Sequence, residues 1–185
     1  MSDDGGRVSA LRATAHPVRL RILSLLTGTP MSAAEVAREL DLTHANASYH
    51  LRVLVDAGEL VDAGEEKIRG GVAKRYRYPH ERRGHNPRAG STTDDDQVFY
   101  ARALSLELER RVLERTSGKG QHADLEGWVP PDVWERACDL LQEVSALLHD
   151  HNTAPRTPGT IHVSHTSWSF QMAQDDGRDD KEPRR

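Results

Sequence analysis

The chain has 185 residues, of which 36% are apolar or aromatic and 29% charged, with a formal net charge of −4. That length suits one domain or a small domain with an extension, and the composition is not polar enough for wholesale disorder. No apolar run approaches the ~18 residues of a membrane helix, and a single cysteine, Cys138, excludes an intramolecular disulfide and a multi-cysteine zinc site.

The charge is unevenly spread. Residues 1–80 carry 11 Lys/Arg and 10 Asp/Glu, whereas residues 81–185 carry 14 and 19. Within 67–88, eight basic residues (Lys67, Arg69, Lys74, Arg75, Arg77, Arg82, Arg83 and Arg88) face Glu81 alone. Local charge on a binding face matters more to a polyanion than the global sum.

Residues 1–8 are acidic and Gly-rich, with no basic or apolar leader region, so they are expected to be disordered and the protein cytoplasmic. Leu11, Ala15 and Val18 begin an apolar stripe that Ile22, Leu25 and Leu26 continue at helical spacing. Pro17 suits a first helical turn, so one helix should end near Ala15 and another start at Pro17, stopped by Gly28 and Pro30. Ser32-Ala33-Ala34-Glu35 matches a capping box, opening a helix over 33–40 that buries Val36, Ala37 and Leu40. Asp41 and Leu42 make the turn. Thr43 can cap the next helix, over about 45–57, and Gly58 ends it. This is helix-turn-helix spacing.

Residues 59–63 and 73–78 then alternate around Gly70-Gly71, which predicts a hairpin. Tyr76 and Tyr78 share one face and Arg75 and Arg77 the other. The hairpin reads as a wing with a basic tip over 67–71. Residues 80–94 read as a basic linker. A helix over about 95–116 follows, with Val98, Ala101, Leu104, Leu108 and Val112 along one side. Pro131 opens another, over 131–150, whose stripe runs from Val133 and Ala137 through Leu140, Leu141 and Val144 to Leu147 and Leu148. A lone helix pair cannot bury two such stripes, but a partner copy can. Residues 160–172 read as a short β segment with a bulge or tight turn near 164–167, and 173–185 as a disordered tail.

On the helix over 45–57, a rotation of about 100° per residue puts Ala47, Leu51, Leu54 and Gly58 on the core side. Asn46, Tyr49, Arg52 and Asp56 lie opposite, with Ser48 and His50 on the flanks. Asn can bond adenine, Arg can bond guanine or phosphate, and Tyr and Ser can bond phosphate, so the exposed face suits a major groove.

His16-Pro17-Val18-Arg19-Leu20-Arg21-Ile22-Leu23, Ala34 to Leu40, and Ser48-Tyr49-His50-Leu51-Arg52-Val53-Leu54 with Gly58 resemble the ArsR-type winged-helix repressors. The likeness covers about Leu11 to Tyr78, under half of the chain. It implies a dimeric transcriptional regulator, commonly a repressor, on a pseudo-palindromic operator in double-stranded DNA. It also implies DNA contacts by Thr43, His44, Asn46, Ser48, Tyr49, Arg52 and His50, and by wing residues Lys67, Arg69, Lys74 and Arg75. Two departures stand out. Asp41 occupies the turn position that favours Gly. The thiolate pair of metal-sensing members is missing, because that segment reads Arg38-Glu39-Leu40-Asp41.

The expected fold is therefore mainly α: a winged helix-turn-helix domain over 9–79, then a helical dimerisation region over 95–172 ending in the short β segment. Other readings compete with this one. His149, His151, His162 and His165 could hold a metal, but their spacing does not converge on one point, so no cofactor is expected. Cys138 could sense redox state. Trp128, Trp134, Trp168 and Phe170 could line a pocket for a small-molecule effector. A winged helix can also serve as a protein-interaction module. Enzymatic motifs fail: Ser117-Gly118-Lys119-Gly120 has Leu113 where a phosphate loop needs Gly.

Overall fold

The structure, a computed structural model, describes residues 10–68, 71–80 and 93–173. The expected N-terminal tail over 1–8, most of the basic linker and the tail from 174 onward lie outside the described residues.

Helix α1 spans Ala10–Thr14 and α2 spans Pro17–Gly28. The break between them has a local cause: Pro17 occupies the first turn of α2, and the His16 ring accepts from the Val18 amide at 3.1 Å as its cap. Helix α3, Ala33–Leu40, opens on a complete capping box. The Ser32 hydroxyl accepts from the Glu35 amide, and the Glu35 carboxylate accepts from the Ser32 amide at 2.7 Å. Asp41 ends α3 in the left-handed region (φ 54°, ψ 52°), and the Leu42 amide bonds Ala37 O at 2.8 Å. Helix α4, His44–Asp56, closes on Gly58 (φ 74°). The Gly58 amide bonds Val55 O at 2.8 Å and the Glu59 amide bonds Leu54 O at 2.9 Å, a Schellman closure.

The wing is longer than the alternation predicts: β2 spans Val61–Ile68 and β3 spans Gly71–Arg77, joined antiparallel. A bulge lies between Asp62 and Glu65, where Gly64 takes φ 96°. A third strand is not anticipated by the sequence pattern. Met31–Ser32 forms β1, pairing Met31 with Tyr76 and Ser32 with Arg75, so the sheet order is β1-β3-β2. Two residues show no periodicity, and only their neighbour makes them a strand. The core lies between α2, α3, α4 and the sheet, where Ile22, Leu26, Val36, Ala47 and Leu54 are fully sealed from solvent. Tyr78 closes it from the wing side, with its amide on Leu26 O at 3.1 Å.

Helix α5 spans Asp94–Leu113 and α6 spans Pro131–Asp150. Their orientation is the main finding outside the core. Helix α5 packs on α1 and α2, and its buried residues are Asp96, Ala103 and Glu107. Asp96 caps its own helix and pairs with Arg12 at 3.3 Å, while the Arg12 guanidinium lies 4.7 Å from the centre of the Phe99 ring. Glu107 sits beneath Arg110 (2.9 Å) and Arg111 (3.6 Å). The predicted stripe of α5 therefore points mostly outward: Val98, Leu108 and Val112 are exposed. In α6 no residue is buried.

The segment after α6 returns to the first domain. Arg156 grips Glu39 at 2.6 Å, and the Thr153 carbonyl sits so close to Gly28 that a Cβ there would meet it at 2.3 Å. Residues 160–173 form no strand, which corrects the expected C-terminal β segment. A strand needs a free edge to pair with. This segment instead lays aromatic rings on α5: Trp168 meets Tyr100 edge-on at 5.6 Å, and Phe170 meets Trp168 at 5.7 Å.

Candidate nucleic-acid interface

Helix α4 is held by a buried row, Ala47, Leu51 and Leu54, so its opposite side is free. His44, Asn46, Tyr49 and Arg52 are exposed along that side, with Tyr49 at 56% of its full accessibility. Thr43 is exposed too, and its hydroxyl already accepts from the Asn46 amide at 3.2 Å. It fixes the first turn of the helix and can still face a phosphate. Ser48 is half-buried on the flank.

His50 departs from expectation. It is buried rather than exposed on a flank, because the start of α2 covers that side of α4. Its ring lies 4.8 Å from the His16 ring and 5.3 Å from the Tyr49 ring. Burial, then the charges of His16 and Arg19, push the His50 pKa down to about 4. It is neutral at pH 7 and does not reach the reading face. His16 is pushed down as well, by burial and then by Arg19.

The wing divides in the same way. Lys67 is exposed. Lys74 is exposed but engaged, 2.8 Å from Asp62, which raises the Lys74 ammonium and lowers the Asp62 carboxyl. Arg75 is largely withdrawn from solvent. It bonds Glu66, the Pro30 carbonyl and Glu35 (3.2 Å), tying β3 to the start of α3. Burial alone would raise the Glu35 carboxyl; the Ser32 hydrogen bonds, then Arg75 and Arg38, hold it below its ordinary value. Arg75 is thus an internal tie and not a free phosphate ligand. Arg69, Arg82, Arg83 and Arg88 lie outside the described residues. The local excess of basic charge is also smaller than the run over 67–88 implies, because β2 brings Asp62, Glu65 and Glu66 alongside it.

Sequence reading misses the contribution of α2. Arg19 stands in its first turn, three residues after the capping His16 whose ring packs on His50, and its charge bears on both Tyr49 and His50. The four aromatics that could line a pocket are not all in one place. Trp168 and Phe170 border a cavity of about 220 Å³ with Gln97, Val98 and Ala101, whereas Trp128 is 80% exposed. His149 and His151 bond carbonyls four residues back in the last turn of α6, Ser145 O at 2.6 Å and Leu147 O at 2.9 Å. Among the described residues no group of three or more His, Cys, Asp or Glu converges as a metal would need. Cys138 is a half-buried free thiol. Among the same residues no helix is long and apolar enough to cross a membrane.

Residues 14–62 match the family model of a helix-turn-helix domain. That segment is a helix-turn-helix domain and lies within the stretch, about Leu11 to Tyr78, that carries the ArsR-type resemblance. No curated protein matches the chain. Among solved structures, a possible transcriptional regulator for arsenical resistance is 22% identical, with 60% of this chain and 99% of that chain covered and a TM-score of 0.33.

Proposed function

We propose that the chain is a sequence-specific, DNA-binding transcriptional regulator of the ArsR type, acting as a homodimeric repressor in the cytoplasm. The carrying observation is the outer face of α4. Asn46, Tyr49 and Arg52 stand exposed on a helix whose other side is locked into the core. Such a helix fits a major groove, where Asn and Arg discriminate base edges. Lys67, Lys74, His44 and Thr43 flank it as backbone contacts.

Homodimerisation is supported by the outward stripes of α5 and α6. Between Val98 and Met172, large apolar side chains stand exposed throughout, from Leu106 and Leu113 to Leu147 and Ile161. Exposed apolar stripes of this kind are what a partner copy covers in a dimer interface. A twofold pair sets two α4 helices about one DNA turn, ~34 Å, apart on a pseudo-palindromic operator and blocks the promoter sterically. A small-molecule effector would enter beside Tyr100, Trp168 and Phe170, where aromatic rings border the cavity on α5.

The test is fluorescence anisotropy on duplexes selected from genomic DNA. Asn46→Ala and Arg52→Ala should each weaken specific binding by about 1–3 kcal/mol and relax preference at one base pair, leaving non-specific binding nearly intact. Unchanged affinity in both variants overturns the assignment of α4.

A further inference from the structure

Among the described residues, one cation at the edge of the α4 face has no acid to pair with. Arg19, in the first turn of α2, is half-buried, and its Nε is sealed from solvent without an acceptor. No carboxylate of those residues lies within ion-pair distance of it. The groups whose charge bears on it are His16, Tyr49 and His50, none of them a carboxylate. The buried Nδ1 of His50 also lacks a partner. A partly desolvated guanidinium without an acceptor is costly, and a permanent cation cannot escape the cost by losing its proton. The notch between the start of α2 and the middle of α4 thus gathers donors and positive charge, and it lies at the positive end of the α2 dipole. What it lacks is an anion.

The position of the notch selects which anion. Tyr49 forms its outer wall, and Tyr49 stands on the same exposed side of α4 as Asn46 and Arg52. An anion seated there is continuous with the groove-facing surface. We propose that Arg19 and Tyr49 together grip one backbone phosphate of the DNA duplex in each half-site, beside the bases read by α4. The guanidinium fork donates to phosphate oxygens and the Tyr49 hydroxyl donates to the same group. Buried, neutral His50 backs the notch. This inference rests on the reading of α4 as a DNA-binding helix.

The experiment measures the affinity of the full-length protein for a selected duplex and for a random duplex across a salt series. Arg19→Gln should weaken both duplexes by the same factor and reduce the slope of log K against log salt by about 0.9 for each phosphate no longer neutralised. Arg19→Lys keeps the charge and should keep the slope, with affinity between that of the wild type and Arg19→Gln. A slope unchanged in Arg19→Gln, or a loss confined to the selected duplex, overturns the proposal. If Arg19→Gln does not fold, wild type and Arg19→Lys are compared on duplexes carrying one neutral methylphosphonate at successive positions. One position per half-site should cost the wild type affinity and cost Arg19→Lys less; no such position overturns the proposal. Inorganic phosphate provides the other arm. If it perturbs the Arg19 and Tyr49 resonances and duplex DNA does not, the site takes free phosphate and the proposal fails. Failure of the underlying reading looks different: the wild type then binds neither duplex.

Discussion

A histidine packed against a second histidine and an arginine is a site that repels protons. His50 carries a pKa of about 4 in the folded chain, against an ordinary 6.5, through burial first and then His16 and Arg19. The other groups facing it are Tyr49 on its own helix and the neutral core. Between those two pH values the unfolded chain takes up the proton more readily than the folded one. Stability should therefore be full above pH 6.5 and fall as the pH drops toward 4, with His16 acting in the same direction. Thermal melts across that window should show the fall, and His50→Gln should flatten it; equal slopes in the two proteins would count against burial as the cause. Asn46, Tyr49 and Arg52 are legible from helical periodicity, because a helix anchored by Ala47, Leu51 and Leu54 has a single free side. His50 is not. The wheel places it on a flank, and only the arrival of α2 decides whether that flank is wet or dry.

At the scale of elements, the wing is held to the helices by Arg75, whose guanidinium reaches Glu66 on β2, Glu35 on α3 and the Pro30 carbonyl. Arg75→Ala should cost about 1–2 kcal/mol in urea unfolding, since it removes charge-assisted hydrogen bonds from a partly buried site. It should leave the salt slope of DNA binding in place, whereas Lys67→Ala should lower that slope. A reduced slope in Arg75→Ala would return that residue to the DNA contacts. Capping boxes, proline starts and glycine stops make α2, α3, α4 and α6 readable almost to the residue, because those signals are local. The strand β1 is unreadable because two residues hold no pattern, and the orientation of α5 is hidden because it carries two faces. An apolar stripe suggests which side is covered. The side used within this protomer is the other one, where Asp96 meets Arg12 and Glu107 lies under Arg110 and Arg111.

For the whole molecule, that inversion leaves apolar stripes on the second half of the chain that the proposed dimer would cover with another copy. Leu140 and Leu147 on α6 are 44% and 60% exposed and touch little of their own protomer. Leu140→Glu with Leu147→Glu should therefore leave the helix-turn-helix fold intact by circular dichroism. The same pair should convert a dimer into a monomer in light scattering, with loss of tight operator binding. A dimer that persists would place the interface on α1 or on the outward side of α5, where Leu106, Leu108 and Val112 are exposed. The uneven charge fits this division. In the proposed complex the acidic half would carry the pairing surfaces and stand off from phosphate, while the near-neutral half would present α4.

The close approach at Gly28 has a mechanical consequence. Helix α2 is 12 residues long, a rod of about 18 Å. One end lies under the Thr153 carbonyl, with no room for even a methyl group between them. The other end carries His16 and Arg19 against the flank of α4. A helix in contact at both ends transmits a push along its axis. A shift of the 151–156 segment would press on the C-terminal end of α2, and the N-terminal end of the same helix bears on α4, the helix proposed to read DNA.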